Sequence, residues 1–128
     1  MEEAKHVTVL VVEDDEAVRR LAARVLARGG YSVVAAATGE EALRLCRSAQ
    51  GGITVIVADV RLPDIRGPEL GRRIRELDPA VRIVFMSGHA PEDLEDVARL
   101  VNARFLPKPF NPDELVRAVR DAVQGGPG

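Results

Sequence analysis

Val57-Ala58-Asp59-Val60-Arg61-Leu62-Pro63 is the stretch whose reading decides the fold. It closes an apolar run that begins at Ile53, stops at a carboxylate and turns on a proline. A continuous apolar run of this kind suits a strand buried on both faces, as in a parallel sheet. A charge at the end of such a strand needs partners, because an unpaired buried charge is costly.

The same pattern recurs on either side. Residues 6–12 form a first apolar run, through Val7, Val9, Leu10, Val11 and Val12, and end at Glu13-Asp14-Asp15. Val18, Leu21, Ala22, Val25 and Leu26 then recur at helical spacing as far as Gly29-Gly30. Residues 31–36 read as a second strand. Thr38 and Glu41 fit a capping box for a helix with Ala42, Leu43 and Cys46 on its inner face. After the 53–58 strand, Pro68 opens a helix carrying Leu70, Ile74 and Leu77. Residues 81–86 form a fourth strand, ending at Ser87-Gly88-His89, and Pro91 opens a helix that runs through Val101. Residues 103–106 form a fifth strand, followed by Pro107-Lys108-Pro109-Phe110. Asn111 caps a last helix, with Pro112 at its first position, Glu114 in its first turn and Leu115, Val116, Val119 and Val123 inward. Strand and helix thus alternate five times, which implies an α/β fold: a (βα)5 parallel sheet with helices on both faces. In such sheets the functional groups gather at the carboxyl ends of the strands.

The chain of 128 residues suits one domain with one core. We place that domain at 7–123, between a short tail at 1–6 and a flexible tail or linker at 124–128. A net charge of -2 argues against a nucleic-acid binder. No run is long and apolar enough to span a bilayer, and the N-terminus is no signal peptide. The single cysteine, Cys46, reads as a small buried hydrophobe and fits a cytoplasmic setting. Of 18 basic residues only Lys5 and Lys108 are lysines, so a compact ammonium at 108 is notable.

Strand one delivers Asp14 and Asp15, strand three Asp59, strand four Ser87 and strand five Lys108. In a parallel sheet all of these lie along one edge. Each pair of carboxylates about 4 Å apart at an effective dielectric of about 20 costs on the order of 4 kcal/mol, so they take up protons or bind a cation. An all-oxygen set without histidine or cysteine suits a hard ion, Mg²⁺ above all. Asp59 is then a candidate phosphoryl acceptor, with Ser87 and Lys108 placed to hold phosphoryl oxygens. Each residue alone has a plain explanation: first-turn acids favoured by the helix dipole, a turn hydroxyl, a solvated lysine. Their joint placement at strand ends is what argues for chemistry.

These residues resemble the receiver (CheY-like) domains of two-component response regulators. The resemblance covers Val7 to Val123 and rests on Val11-Val12-Glu13-Asp14-Asp15, Val57 to Asp64, Phe85-Met86-Ser87-Gly88 and Pro107-Lys108-Pro109-Phe110. It implies a doubly wound, flavodoxin-like sheet of strand order 2-1-3-4-5. It implies that Asp59 takes a phosphoryl group from the phosphohistidine of a histidine kinase or phosphotransfer protein. It implies Mg²⁺ held by Asp14, Asp15 and Asp59 and by the main-chain carbonyl of Arg61. Ser87 becomes the switch hydroxyl and Phe105 the switch aromatic. Together they would reshape a surface of the fourth helix, fifth strand and fifth helix for a downstream partner. Arg61 and His89 occupy the positions that tune phosphoryl lifetime, although His89 also reads as an exposed loop residue. The Lys108–Pro109 peptide is expected to be cis. The resemblance implies no enzyme beyond the domain's own phosphoryl transfer and loss, no direct nucleic-acid contact, and a monomer or weak dimer. With no output domain after Val123, the chain is expected to be a free-standing regulator or the receiver of a larger protein. Residues 81–90 look similar to receivers of hybrid sensor kinases.

Other classes fit less well. A phosphatase with an aspartyl nucleophile of the haloacid-dehalogenase type needs a second aspartate two residues on, where this chain has Arg61. A nucleotide or flavin module needs a glycine- or hydroxyl-rich loop after strand one, where Glu13-Asp14-Asp15 repels phosphate. The acidic stretch from Glu92 to Asp96 either selects a basic patch on a partner or is a solvated face.

Overall fold

A computed structural model describes residues 7–88, 91–100 and 102–124, with only the backbone of Pro91. Five parallel strands alternate with five helices: β1 Thr8–Val12, α1 Glu16–Arg28, β2 Ser32–Ala36, α2 Gly39–Ala49, β3 Val55–Asp59, α3 Gly67–Leu77, β4 Arg82–Ser87, α4 Pro91–Ala98, β5 Ala103–Pro107 and α5 Pro112–Gln124. The strand order is β2-β1-β3-β4-β5. Chain order reverses direction at β1, so the crevice between β1 and β3 is the topological switch point.

The apolar runs are continuous because the central strands are buried on both faces. Alternation along them makes two cores. Leu10, Val12, Ile56, Ala58, Ile83 and Phe85 pack with residues of α2 and α3. Val9, Val11, Val55, Val57, Val84 and Met86 pack with residues of α1 and α5. The outer strands β2 and β5 are more exposed.

Register sets the site. Ala36, Val12, Ala58, Phe85 and Phe105 form one row across the sheet. One residue past this row lie Glu13 and Asp59. Ser87 lies two past it and Lys108 three past it.

Several sequence expectations are corrected in detail. Leu21 is 53% exposed, although its spacing places it with the buried side of α1. α4 ends at Ala98 rather than running on to Val101, which lies outside the described residues. Asp59 and Ser87 are the last residues of their strands, and Gln124 belongs to α5. The tails at 1–6 and 125–128 lie outside the described residues. Cys46 is half-buried against the core, and burial, with help from nearby Asp78, pushes its thiol up to about 11.

The caps come out largely as read, with one addition. Glu41 N–H donates to Thr38 Oγ1 at 3.1 Å, while Glu41 Oε1 accepts from Ala37 N–H at 2.9 Å. Asn111 and Glu114 cap each other reciprocally. The addition is Asp64, whose carboxylate accepts N–H bonds from Gly39 and Glu40, both at 2.9 Å, at the start of α2. What little burial Asp64 has pushes its carboxyl up, but these N–H donors outweigh it and hold it below 3.8. A folded pKa below the unfolded one stabilises above that range and is lost as pH falls through it. Asp64→Ala is therefore expected to lower stability by about 1 kcal/mol at neutral pH. In urea titrations the gap to wild type should close below pH 3.8.

Candidate functional site

The strand ends bring Glu13, Asp14, Asp59 and Lys108 together. The carboxylates of Glu13, Asp14 and Asp59 offer oxygens that all lie within 4.8 Å of one another. Lys108 Nζ donates to Asp59 Oδ2 and to Glu13 Oε1, both at 2.8 Å. Asp59 Oδ1 accepts from the N–H of Arg61 at 2.9 Å. The Lys108–Pro109 peptide is cis, as expected from the sequence.

Burial separates the roles of the acids. Glu13 is 1% exposed and Asp59 8%. Asp14 is exposed. Burial pushes the Glu13 carboxyl up, and this outweighs the bonds from Lys108 and the Asp15 N–H that pull it down. Burial would lower the Lys108 ammonium, but its bonds to Asp59 and Glu13 hold it above the usual lysine range.

The structure gathers a set of carboxylates that differs by one residue from the metal set expected from the sequence. Asp15 is the N-cap of α1, and its Oδ1 accepts from Val18 N–H at 3.1 Å. The third clustered carboxylate is Glu13, not Asp15. The reason is register. Glu13 directly follows Val12 and Asp59 directly follows Ala58, and Val12 and Ala58 are paired. Equal offset from the strand ends was the signal that could have found it.

Gly67 lets the loop after Asp59 fold back. Its N–H donates to Val60 O at 2.8 Å. A Cβ there would lie 2.6 Å from Asp59 O and 2.9 Å from Val60 Cα, both backbone atoms. Gly67→Ala is expected to destabilise the fold by about 1–3 kcal/mol, read as an earlier midpoint in thermal melts.

Ser87 and Arg61 have a partner that sequence reasoning missed. Ser87 is 2% exposed and donates to Asp93 Oδ2 at 2.5 Å. Arg61 Nε donates to the same oxygen at 3.3 Å, and Arg66 Nη2 to Asp93 Oδ1 at 3.3 Å. Asp93, on α4, is fully buried. Burial pushes its carboxyl up, but the bonds from Ser87, Arg61 and Arg66 prevail and hold it below the usual carboxylate range. Asp96 is also bound by Arg66. Asp93, being buried, is no solvated face, and both acids bind arginines of their own chain. Phe105 is half-buried against the core, paired in register with Phe85. His89 lies outside the described residues.

The chain matches the family model for the response regulator receiver domain over residues 9–120. It belongs to that family. This receiver is 36% identical over 118 residues to the sensor kinase CckA of Brucella abortus, a match covering 91% of this chain and 12% of that protein. It is 34% identical to the DNA-binding transcriptional regulator NtrC of Azospirillum brasilense, over 91% of this chain and 24% of that protein. The chain thus spans a quarter or less of these two relatives. It is also 32% identical to the response regulator receiver protein CpdR of Brucella abortus, covering 87% of this chain and 92% of that one. Among solved structures, the receiver domain of the hybrid histidine kinase CckA superposes with a TM-score of 0.79 at 36% identity, covering 91% of this chain and 99% of that one. The chemotaxis regulator CheY4 of Vibrio cholerae gives a TM-score of 0.82 at 28% identity, covering 91% and 98%. Among the described residues no helix is long and apolar enough to cross a membrane.

Proposed function

We propose that this receiver accepts a phosphoryl group onto Asp59 from the phosphohistidine of a histidine kinase or phosphotransfer protein, in a Mg²⁺-assisted reaction. The observation that carries this reading is Lys108 Nζ, 2.8 Å from Asp59 Oδ2, beside three clustered carboxylates at the sheet edge. An all-carboxylate donor set fits a hard divalent ion. Glu13, Asp14 and Asp59, with the main-chain carbonyl of Arg61, would hold it. When bound, the ion neutralises charge developing on the transferred group.

The chain's own groups do the rest. An Asp59 carboxylate oxygen attacks phosphorus, the P–N bond breaks with its electron pair staying on nitrogen, and the donor leaves as neutral imidazole, keeping the proton already on its other ring nitrogen. The product is an acyl phosphate on Asp59. Lys108 orients Asp59 through their 2.8 Å bond and then pairs with a phosphoryl oxygen. Ser87 donates a hydrogen bond from its hydroxyl to another, and Phe105 moves with it, so that α4, β5 and α5 present an altered surface to a downstream partner. Arg61, two residues past the acceptor, and His89 tune how long the phosphoryl group survives.

With Mg²⁺ and a small acyl phosphate, intact mass should show one added phosphoryl group, and a chelator should prevent it. Folded protein that gains none under these conditions would overturn the reading.

A further inference from the structure

The acceptor reading leaves Asp93 without a task, yet it is the most enclosed charged side chain near the site. It sits in α4 and holds Ser87 of β4 together with Arg61 and Arg66, which flank the loop after Asp59. One buried carboxylate therefore ties three elements together.

The chemistry of this junction is restrictive. Two guanidinium groups donate to Asp93, so it is the acceptor and Ser87 is the donor. A serine hydroxyl carries a single proton. A phosphoryl oxygen on Asp59 would accept a hydrogen bond from that same O–H, so the two acceptors compete for one donor. When Ser87 turns away, Asp93 keeps both arginines. The rearrangement then breaks the Ser87–Asp93 hydrogen bond without stranding a buried ion, which would be far more costly. Arg61 and Arg66 are 47% and 48% exposed, so they have room to follow α4.

We infer that Asp93 is a latch: it holds Ser87 and α4 in the unphosphorylated arrangement, and competition for the Ser87 O–H sets how readily Asp59 is phosphorylated and couples that event to α4. The inference rests on Asp59 being the acceptor. Asp93 acts through Ser87 and is a positioning residue. A purely structural role, anchoring α4 through Arg61 and Arg66, would make its effect independent of Ser87.

The experiment is a double-mutant cycle on the whole chain. Phosphorylation by a small acyl phosphate with Mg²⁺ is followed by intact mass, and α4 amide hydrogen exchange is measured for each variant without phosphodonor and for wild type with and without it. Asp93→Ala should be phosphorylated about tenfold faster than wild type, the scale of one hydrogen bond to a charged group. Its α4 exchange should resemble that of phosphorylated wild type. In a Ser87→Ala background the same substitution should change the rate by less than about twofold. Should Asp93→Ala fail to fold, Asp93→Asn keeps the volume and should shift both readouts the same way, by less. An equal effect with and without Ser87, or no effect in a wild type that does phosphorylate, overturns the latch alone. A folded wild type that takes up no phosphoryl group overturns the acceptor reading and the latch with it.

Discussion

Asp59→Asn is expected to abolish phosphoryl uptake while leaving the domain folded. The amide has no anionic oxygen to form an acyl phosphate, so intact mass should show no adduct at any phosphodonor concentration. The fold should persist because the amide oxygen can still accept from the Arg61 N–H, and Lys108 keeps Glu13 at 2.8 Å. Removing one of three clustered carboxylates also relieves repulsion, so stability should stay within about 1 kcal/mol of wild type. The other acids are poorer acceptors on geometric grounds. Glu13 is 1% exposed, which closes it to a donor, and Asp14 lacks the bond to Lys108 that orients Asp59. Two further substitutions separate the acids. Glu13→Gln should weaken Mg²⁺-dependent uptake, whereas Asp15→Asn preserves the α1 cap and should leave uptake close to wild type. An adduct that survives Asp59→Asn would place the acceptor elsewhere.

The sheet was legible because its central strands are buried on both faces and read as unbroken apolar runs. The edge strands and helix ends were less so. Leu21 keeps helical spacing yet stands exposed, because periodicity shows where a face begins but not how far a neighbouring helix covers it. The cap at the start of α2 was half legible. Thr38 and Glu41 are local, but Asp64 joins from 25 residues away, and no local pattern carries such a bond.

The site divides along the same line. Asp59, Ser87 and Lys108 each follow an apolar run, so their edge of the sheet could be read directly. Choosing among Glu13, Asp14 and Asp15 required the register, because three adjacent acids look alike until one is seen to cap a helix. Asp93 was invisible for another reason. In sequence it is one of several acids in an exposed-looking stretch, and only the fold turns it inward between Ser87, Arg61 and Arg66. Its burial is made tolerable by long-range partners, which is the kind of information a local pattern lacks.

Lys108→Ala is expected to damage both stability and phosphoryl uptake. The lysine joins two buried carboxylates whose strands lie far apart in sequence, and its side chain is only 24% exposed. Removing one partner of a buried ion pair leaves uncompensated charge and typically costs about 3–5 kcal/mol; the partial exposure places this case near 3. The loss should depend on pH. Glu13 already has a raised pKa, and Lys108 is among the groups that hold it down. Without the lysine it rises further. A folded pKa above the unfolded one stabilises at low pH and is lost as pH rises through it. The deficit of Lys108→Ala should therefore be smaller near pH 4.5, the ordinary value for Glu13, and widen toward neutrality. Uptake should fall by on the order of 10²-fold, the effect of removing one preorganised donor from developing charge. Lys108→Arg separates the two effects. Its charge should restore much of the stability, but the planar guanidinium cannot reproduce a compact ammonium set 2.8 Å from both carboxylates, so uptake should stay low. Urea titrations between pH 4 and 8, paired with intact-mass kinetics, would test both claims. A Lys108→Ala variant as stable as wild type at pH 7, or an arginine that restores full uptake, would show that Lys108 does not hold this site together.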